Sequence, residues 1–191
     1  MKSEIAIIGC GRIGSVHARA ITETLPMVDL VLADVEPSRA IDLAKRVGAH
    51  AVDIADIWDR PNLRAVAICS STTTHVDYIC AAAEAGVAVF CEKPVSLDLD
   101  EVDRAVRAVT DSDIPFMVGF HKRFDPTHQA TKQAVVDGRV GDVHLLRITT
   151  RDPQPPPLDY ISVSGGIFLD MTIHDFDMAR FLVDSPVQEI F

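Results

Sequence analysis

Apolar and polar positions follow two different rhythms along the first 120 residues. Short runs of aliphatic and β-branched residues alternate with longer stretches in which apolar residues recur every three or four positions. The short runs predict six strands, at residues 5–8, 30–33, 51–52, 65–69, 87–91 and 115–120. The longer stretches predict helices at residues 13–25, 37–47, 74–85 and 99–110. Short strands that alternate with helices of ten or more residues predict βαβ units and a parallel sheet.

The pattern changes after residue 120. Residues 126–137 predict a helix, residues 143–149 alternate as in a strand, and the proline-rich residues 151–157 predict a stiff extended segment. Residues 167–183 predict one last helix, and residues 187–191 resemble the opening of a further strand. A strand needs neighbours to be stable. We therefore expect a doubly wound α/β domain followed by the start of an incomplete α+β domain.

A glycine-rich motif follows the first predicted strand. Gly9, Gly11 and Gly14 form the pattern G-x-G-x-x-G at the start of a helix. The first glycine permits a tight turn, the second lets the backbone approach a pyrophosphate, and the third lets the helix pack closely on the sheet. Asp34 ends the second strand twenty residues later, where its carboxylate can accept hydrogen bonds from a ribose diol. Together these features predict a dinucleotide-binding site.

Net charge and composition argue against some classes of binding partner and bear on the location of the protein. The formal net charge of −10 argues against nucleic acid or an anionic membrane as a partner. The apolar runs are too short to span a bilayer, and the N-terminus enters a strand without room for a signal peptide. The four cysteines have no C-x-x-C spacing, which is typical of buried thiols in a reducing compartment. These observations predict a cytoplasmic protein.

The last predicted helix carries a polar stripe. At 100° per residue, Asp170, His174 and Asp177 lie on one side of it, and apolar residues cover most of the rest. An apolar helix is largely buried, so the stripe must face a partner or a cleft. From spacing alone, a packing role and a functional role are equally compatible with the pattern. Asp175 falls on the apolar side, and without further His or Cys ligands we expect no metal.

A second candidate group follows the fifth strand. In doubly wound sheets, ligands bind outside the carboxyl ends of the strands, which directs Lys93 toward the nicotinamide side of the cleft. Pro94 restricts the backbone of Lys93. Taken alone, a lysine at the end of a strand is more often a solvated surface residue.

Four blocks in order resemble the Gfo/Idh/MocA oxidoreductases: residues 9–14, 91–94, 119–126 and 170–177. Within that family, residues 151–157, followed by Tyr160-Ile161 and residues 164–166, are similar to inositol 2-dehydrogenases. The resemblance implies an NAD-binding Rossmann domain at residues 1–120. It also implies that residues 121–191 are the N-terminal portion of a substrate and oligomerisation domain, incomplete here.

The resemblance further implies a reaction and the residues for it. Lys93, Asp170 and His174 become the catalytic group: His174 is the base, Lys93 polarises the reacting oxygen, and Asp170 orients the ring or binds a substrate hydroxyl. The implied reaction is NAD-dependent oxidation of a cyclic polyol, above all myo-inositol at C2 to the 2-keto product, by a homo-oligomer when full length. Alternatives are a dehydrogenase of another sugar or polyol, and a non-catalytic NAD-binding fragment or regulatory protein.

Residues that line the cofactor follow from the same resemblance and from the glycine motif. The expected cofactor residues are Gly9, Gly11, Arg12, Ile13, Gly14, Asp34, Ser70, Ser71, Thr72, His75, Glu92 and Lys93. For His75 a packing or capping role is the alternative. Asp34 would repel a 2′-phosphate, so NAD is expected over NADP, with Arg39 as a solvated helix residue. At His121 the block departs from the family's usual residues, which leaves contact of His121 with nicotinamide or substrate open.

Overall fold

One parallel sheet organises the first part of the molecule. The computed structural model describes residues 2–156, 158–161 and 164–191, and within them six strands pair. They are β1 (Glu4–Ile8), β2 (Asp29–Ala33), β3 (His50–Ala51), β4 (Leu63–Ile68), β5 (Ala88–Cys91) and β6 (Phe116–Val118). Their order in the sheet is β3-β2-β1-β4-β5-β6, all parallel. This is the doubly wound order, so the predicted Rossmann fold is confirmed.

Helices cover both faces of the sheet. They are α1 (Arg12–Thr24), α2 (Pro37–Val47), α3 (His75–Glu84) and α4 (Leu99–Asp111). Side chains alternate across a strand, so Ile7 and Ile8 of β1 enter different apolar clusters. Ile7 packs with residues of α1 and α2, and Ile8 packs with residues of α3 and α4. Burial on both faces explains why these strands read as continuous apolar runs.

The chain divides into two units, one ending at Gly119 and one spanning Phe120–Phe191. The second unit contains a 3₁₀ turn (His121–Phe124), α5 (Pro126–Val136), α6 (Leu158–Ile161), a π-helical segment (Phe168–Thr172) and α7 (Ile173–Val183). Asp125 caps α5, because its Oδ1 accepts hydrogen bonds from the backbone of Thr127 and His128.

Strands predicted in the second unit are absent from its described residues. Residues 143–149, which alternate, and residues 187–191, which resemble the opening of a strand, form no ladder. An alternating segment becomes a strand only when a neighbouring strand takes up its backbone hydrogen bonds. Residues 151–156 form neither helix nor strand. Pro157, the end of the predicted proline-rich segment, and the side chain of Tyr160 lie outside the described part of the chain.

The predicted helix at residues 167–183 is confirmed in its extent, because helical residues run without a break from Gly166 to Val183. Within this run Phe168–Thr172 are π-helical, and Ile173–Val183 form α7. The wider π turn changes the angle per residue, so the 100° spacing of a helical wheel does not hold within Phe168–Thr172. The expectation that the helix is largely buried is wrong for its first turn, since Phe168 has 66% of its surface accessible. Burial is confined to one side of α7, at His174, Asp177, Met178 and Leu182.

Candidate functional site

Two glycines close the turn between β1 and α1. Gly9 has a φ of +97°, and a Cβ built there would lie 2.5 Å from the backbone nitrogen of Ser70. A Cβ on Gly14 would lie 1.9 Å from the carbonyl oxygen of Gly9. Neither position therefore accepts a side chain without movement of the backbone. The predicted close packing at Gly14 is thus a contact between the helix and the turn itself.

Gly11 has open surface in front of it, unlike its two neighbours in the motif. A Cβ on Gly11 would meet nothing within 4 Å. Gly11 immediately precedes α1, which begins at Arg12 without a side-chain cap. The backbone N–H groups of the first helical turn are therefore accessible beside an uncrowded surface. Such an arrangement fits a pyrophosphate.

Asp34 lies against the glycine turn at the end of β2. Its Oδ2 accepts a hydrogen bond of 2.6 Å from the backbone of Cys10, and its Oδ1 accepts one of 2.9 Å from Glu36. Each carboxylate oxygen has a second lone pair that can accept from a ribose diol. Arg39, the residue weighed as a 2′-phosphate ligand, forms an exposed ion pair of 2.9 Å with Glu36.

Hydroxyl side chains follow β4, the neighbour of β1 in the sheet. Ser70 and Thr74 share a hydrogen bond of 2.8 Å, and Thr74 Oγ1 donates to the carbonyl of Ser71 at 2.8 Å. A 3₁₀ turn spans Thr72–Thr74. The reversal of strand order lies between β1 and β4, so these residues stand at the place where doubly wound folds bind their ligands.

His75 connects two loops of the first unit. Its ring is 1% exposed; Nδ1 lies 2.8 Å from the carbonyl oxygen of Pro94, and Nε2 lies 3.1 Å from that of Ser70. Both carbonyls only accept, so a neutral ring donates to one of them at a time. Because both nitrogens face the backbone, the geometry favours the packing alternative, and contact with a cofactor stays a prediction.

Glu92 and Lys93 follow β5 directly. Glu92 Oε1 lies 2.7 Å from Nε2 of His17 on α1, and a Cβ on Gly119 would lie 3.1 Å from Glu92 Oε2. The ring of His17 packs edge-on against Phe90 at 5.0 Å. These contacts hold Glu92 between α1 and the end of β6, and the half-buried Lys93 follows at the carboxyl edge of the sheet. The Lys93–Pro94 peptide bond is cis.

In the second unit, two aromatic rings surround His174. This histidine is 8% exposed and lies on the first turn of α7. The rings of His121 and His174 have centroids 4.6 Å apart in an edge-to-face arrangement, and Phe120 approaches His174 edge-on at 6.3 Å. His121 is exposed, whereas Asp170 is half-buried within the π-helical segment.

Two ion pairs join the 3₁₀ turn to α7. Lys122 Nζ donates to Asp175 Oδ1 at 2.8 Å, and Thr150 Oγ1 donates to the same oxygen at 2.7 Å. Arg123 binds both carboxylate oxygens of Asp177, which is 8% exposed. Partial burial opposes ionisation of Asp175, but the hydrogen bonds from Lys122 and Thr150 outweigh it and lower the pKa of this carboxyl.

These pairs decide one expectation and correct another. Asp177, expected to face a partner or a cleft, has Arg123 as its partner. Asp175, placed on the apolar side, instead binds Lys122. The partners are more than fifty residues away in the sequence, so a helical wheel does not reveal them. His17 at Glu92 was missed for the same reason.

Three of the four cysteines are buried in the first unit. All four cysteines are free thiols, and burial raises the pKa of Cys10 and Cys69 to about 12. Such thiols are unreactive at neutral pH.

Three or more His, Cys, Asp or Glu side chains placed to hold a metal are not found among the described residues. No helix in that part of the chain is long and apolar enough to cross a bilayer.

The predicted cofactor residues thus lie at the carboxyl ends of β1, β2, β4 and β5. A family profile described as an oxidoreductase family with an NAD-binding Rossmann fold matches residues 3–120. The chain belongs to the Gfo/Idh/MocA oxidoreductase family. The family's C-terminal domain profile matches residues 128–191. Lys93 lies in the first unit and Asp170 and His174 in the second, so their convergence stays a prediction.

Relatives within the Gfo/Idh/MocA family include two inositol dehydrogenases. The myo-inositol 2-dehydrogenase of Thermotoga maritima is 47% identical over 98% of this chain, and the inositol 2-dehydrogenase of Rhizobium meliloti is 46% identical over 98%. In both comparisons the chain spans 57% of the relative's length.

Solved structures of family members have the same fold. A myo-inositol dehydrogenase from Corynebacterium glutamicum superimposes with a TM-score of 0.89 at 43% identity, covering 97% of this chain and 56% of that one. The scyllo-inositol dehydrogenase from Lactobacillus casei, solved with bound NAD(H) and scyllo-inositol, gives 0.82 at 30% identity, covering 96% and 57%.

Proposed function

We propose that the protein oxidises a cyclic polyol with NAD, and that the polyol is myo-inositol, converted at C2 to the 2-keto-inositol. The observation that carries this proposal is 47% identity to a myo-inositol 2-dehydrogenase across 98% of the chain. Lys93, Asp170 and His174, the residues that the family resemblance implies for catalysis, are all present.

The glycine turn and Asp34 would hold the cofactor. Gly11 leaves the space that a pyrophosphate requires, and Asp34 retains lone pairs for a ribose diol beside that space. The residues present therefore fit NAD. When bound, NAD supplies the acceptor for the hydride that leaves the alcohol carbon.

The protein's own residues accept the substrate's hydroxyl proton and stabilise the negative charge that develops on the substrate oxygen. His174 takes the hydroxyl proton, a role suited to an imidazole because it titrates near neutral pH. Lys93 donates a hydrogen bond to the same oxygen and stabilises its developing negative charge. Asp170 orients the imidazole or binds a neighbouring hydroxyl of the substrate.

A second substrate has its own support. The NAD-dependent scyllo-inositol 2-dehydrogenase of Bacillus subtilis is 36% identical over 97% of the chain. Scyllo-inositol differs from myo-inositol only in the configuration at one carbon, so both belong in the assay. Nicotinamide absorbance, followed with NAD or NADP against myo-inositol, scyllo-inositol and glucose, distinguishes these substrates from another sugar and from a non-catalytic NAD-binding protein.

The assignment of the base is tested by His174→Ala. We expect the rate of hydride transfer to fall about 10²- to 10⁴-fold, as is usual when a general base is removed. NADH affinity, measured by fluorescence titration, stays within about twofold, because no cofactor role is assigned to this residue. His144→Ala, an exposed histidine of the same unit, is the matched control. An unchanged rate in His174→Ala would rule out this residue as the base.

We also propose a cytoplasmic location and a homo-oligomer for the full-length protein. The free cysteines support a reducing compartment. The second unit exposes large apolar side chains, including Phe124, Leu145, Phe168 and Ile190, which favours burial against another surface. Light scattering after size-exclusion chromatography of the full-length protein measures its oligomeric state. A monomer at micromolar concentration would contradict the proposed homo-oligomer.

A further inference from the structure

A buried base must return its proton to solvent before it can act again. His174 is 8% exposed, so its ring has little direct access to water. The neighbouring imidazole of His121 is exposed, and the two ring centroids are 4.6 Å apart. We propose that His121 relays protons between His174 and solvent. The proposal rests on the function proposed above, because that function makes His174 the base.

The contact between the rings is held from both sides. Lys122 follows His121 and binds Asp175, which follows His174, so one ion pair of 2.8 Å fixes the two residues next to the rings. Arg123, the next residue of the turn, binds the buried Asp177, two positions after Asp175. The 3₁₀ turn and α7 are therefore tied together at the position where the imidazoles meet. Such ties keep the rings in contact although His121 itself is exposed.

Charged groups around the pair are largely neutralised by one another. On the 3₁₀ turn these groups are Lys122 and Arg123, and on α7 they are Asp175 and Asp177. The π-helical segment contributes Asp170, and residues 143–150 contribute the hydroxyl of Thr150, which also binds Asp175. Because each cation of the turn has a carboxylate partner, its repulsion of an imidazolium is reduced. The adjacent imidazole is then a suitable acceptor for a proton that leaves His174.

The transfer balances without any further reactant. The substrate O–H bond breaks and its proton bonds to the nitrogen of His174 that faces the substrate, while the proton on the other nitrogen passes to His121. His121 then releases a proton from its second nitrogen to water. Both rings end neutral as the opposite tautomers, and a turn of each ring about its Cβ–Cγ bond restores the starting arrangement. The present edge-to-face contact requires His121 to turn about its side-chain bonds first, a motion open to an exposed residue.

The first test needs no turnover. Nitrogen-15 NMR of the histidine-labelled chain in dilute buffer measures how fast the His174 ring exchanges its proton with solvent. His121→Asn keeps a polar side chain of similar size and removes the proton carrier, so we expect exchange to slow by about tenfold or more. Added free imidazole restores it. His144→Asn, at an exposed histidine of the same unit, leaves exchange unchanged. Unchanged exchange in His121→Asn would overturn the relay whatever the enzyme's activity.

The second test follows NADH formation by stopped flow with the polyol that the parent protein oxidises. In His121→Asn we expect the first turnover at the parental rate and later turnovers about tenfold slower in dilute buffer, with recovery in imidazole buffer. If the first turnover is slowed as much as the later ones, and imidazole buffer does not restore the rate, His121 only packs against His174. That result would overturn the proposal. Slowed exchange by NMR, in a protein that oxidises no polyol, would support the relay and refute the proposed function instead.

Discussion

Gly14 and Gly11 offer a paired test of the cofactor site, because the same added methyl group should have opposite effects at the two positions. Side-chain carbons essentially never lie closer than 3.0 Å to another heavy atom, yet a Cβ on Gly14 would lie 1.9 Å from the Gly9 carbonyl oxygen. The two atoms would have to separate by at least 1.1 Å, the difference between these distances. Both belong to the backbone, so no side-chain rotation relieves the clash.

The expected cost of Gly14→Ala follows from two opposing effects. Alanine favours a helix over glycine by about 1 kcal/mol, whereas overpacking against a fixed neighbour costs about 3 kcal/mol or more here. We therefore expect a net loss of about 2 kcal/mol in the free energy of unfolding. For a chain of this size that loss lowers Tm by about 4–8 °C. Urea unfolding and a thermal melt followed by circular dichroism measure it.

Gly11→Ala is the matched substitution. Its backbone, with φ −71° and ψ −158°, is accessible to alanine, and the added methyl meets nothing within 4 Å. Stability should stay within about 1 kcal/mol of the parent, as helix capping weakens slightly and the unfolded chain loses entropy. The methyl enters the space assigned to the pyrophosphate, so we expect NADH to bind about 5- to 150-fold more weakly, equivalent to about 1–3 kcal/mol.

Two results would contradict these expected effects. Parental stability in Gly14→Ala would mean that the turn is not as closely packed as the distances indicate. Parental NADH affinity in Gly11→Ala, measured by fluorescence titration, would mean that the cofactor does not approach the chain at this glycine.

Three further predictions concern charged side chains. Asp34→Asn should weaken NADH binding about tenfold and reduce the preference for NADH over NADPH. Paired fluorescence titrations with the two cofactors measure this preference, and an unchanged ratio of their dissociation constants would contradict the assigned ribose contact. The folded state lowers the pKa of Asp175 below 3.8, so its stabilising effect is present above that value and lost as pH falls through the folded pKa. Urea unfolding of Asp175→Asn should accordingly lose less stability than the parent between neutral pH and about pH 3. Arg123→Met should destabilise the protein by about 2 kcal/mol at neutral pH by leaving Asp177 without its bidentate partner, and a parental urea midpoint would contradict this.

The sequence was most informative where the relevant interactions are local. Apolar runs such as residues 5–8 predict strands because burial on both faces requires a continuous apolar sequence. The glycine motif and Asp34 predict a cofactor site because turn, helix start and strand end lie within one βαβ unit. Strand and helix ends shifted by one or two residues, as expected where the last hydrogen bonds fray.

Long-range contacts and irregular helix geometry were not predictable in the same way. His17 and Glu92 are 75 positions apart, and Arg123 and Asp177 are 54 apart, so neither pair produces a local pattern. The π-helical residues Phe168–Thr172 have no distinguishing composition, so the sequence pattern does not predict this change of helix type. The alternating residues 143–149 predict a strand, although a strand also depends on partners elsewhere in the chain.

His75 has a consequence for communication within the first unit. One rigid ring is wedged between the carbonyl groups of Ser70 and Pro94. A neutral ring donates to one of these carbonyls at a time and packs against the other, so a separate movement of the segment at Ser70 or of the segment at Pro94 disturbs a ring that is 1% exposed. The imidazole thereby links the backbone beside the hydroxyl residues to the backbone beside Lys93, and the spacing of these two loops depends on this one side chain.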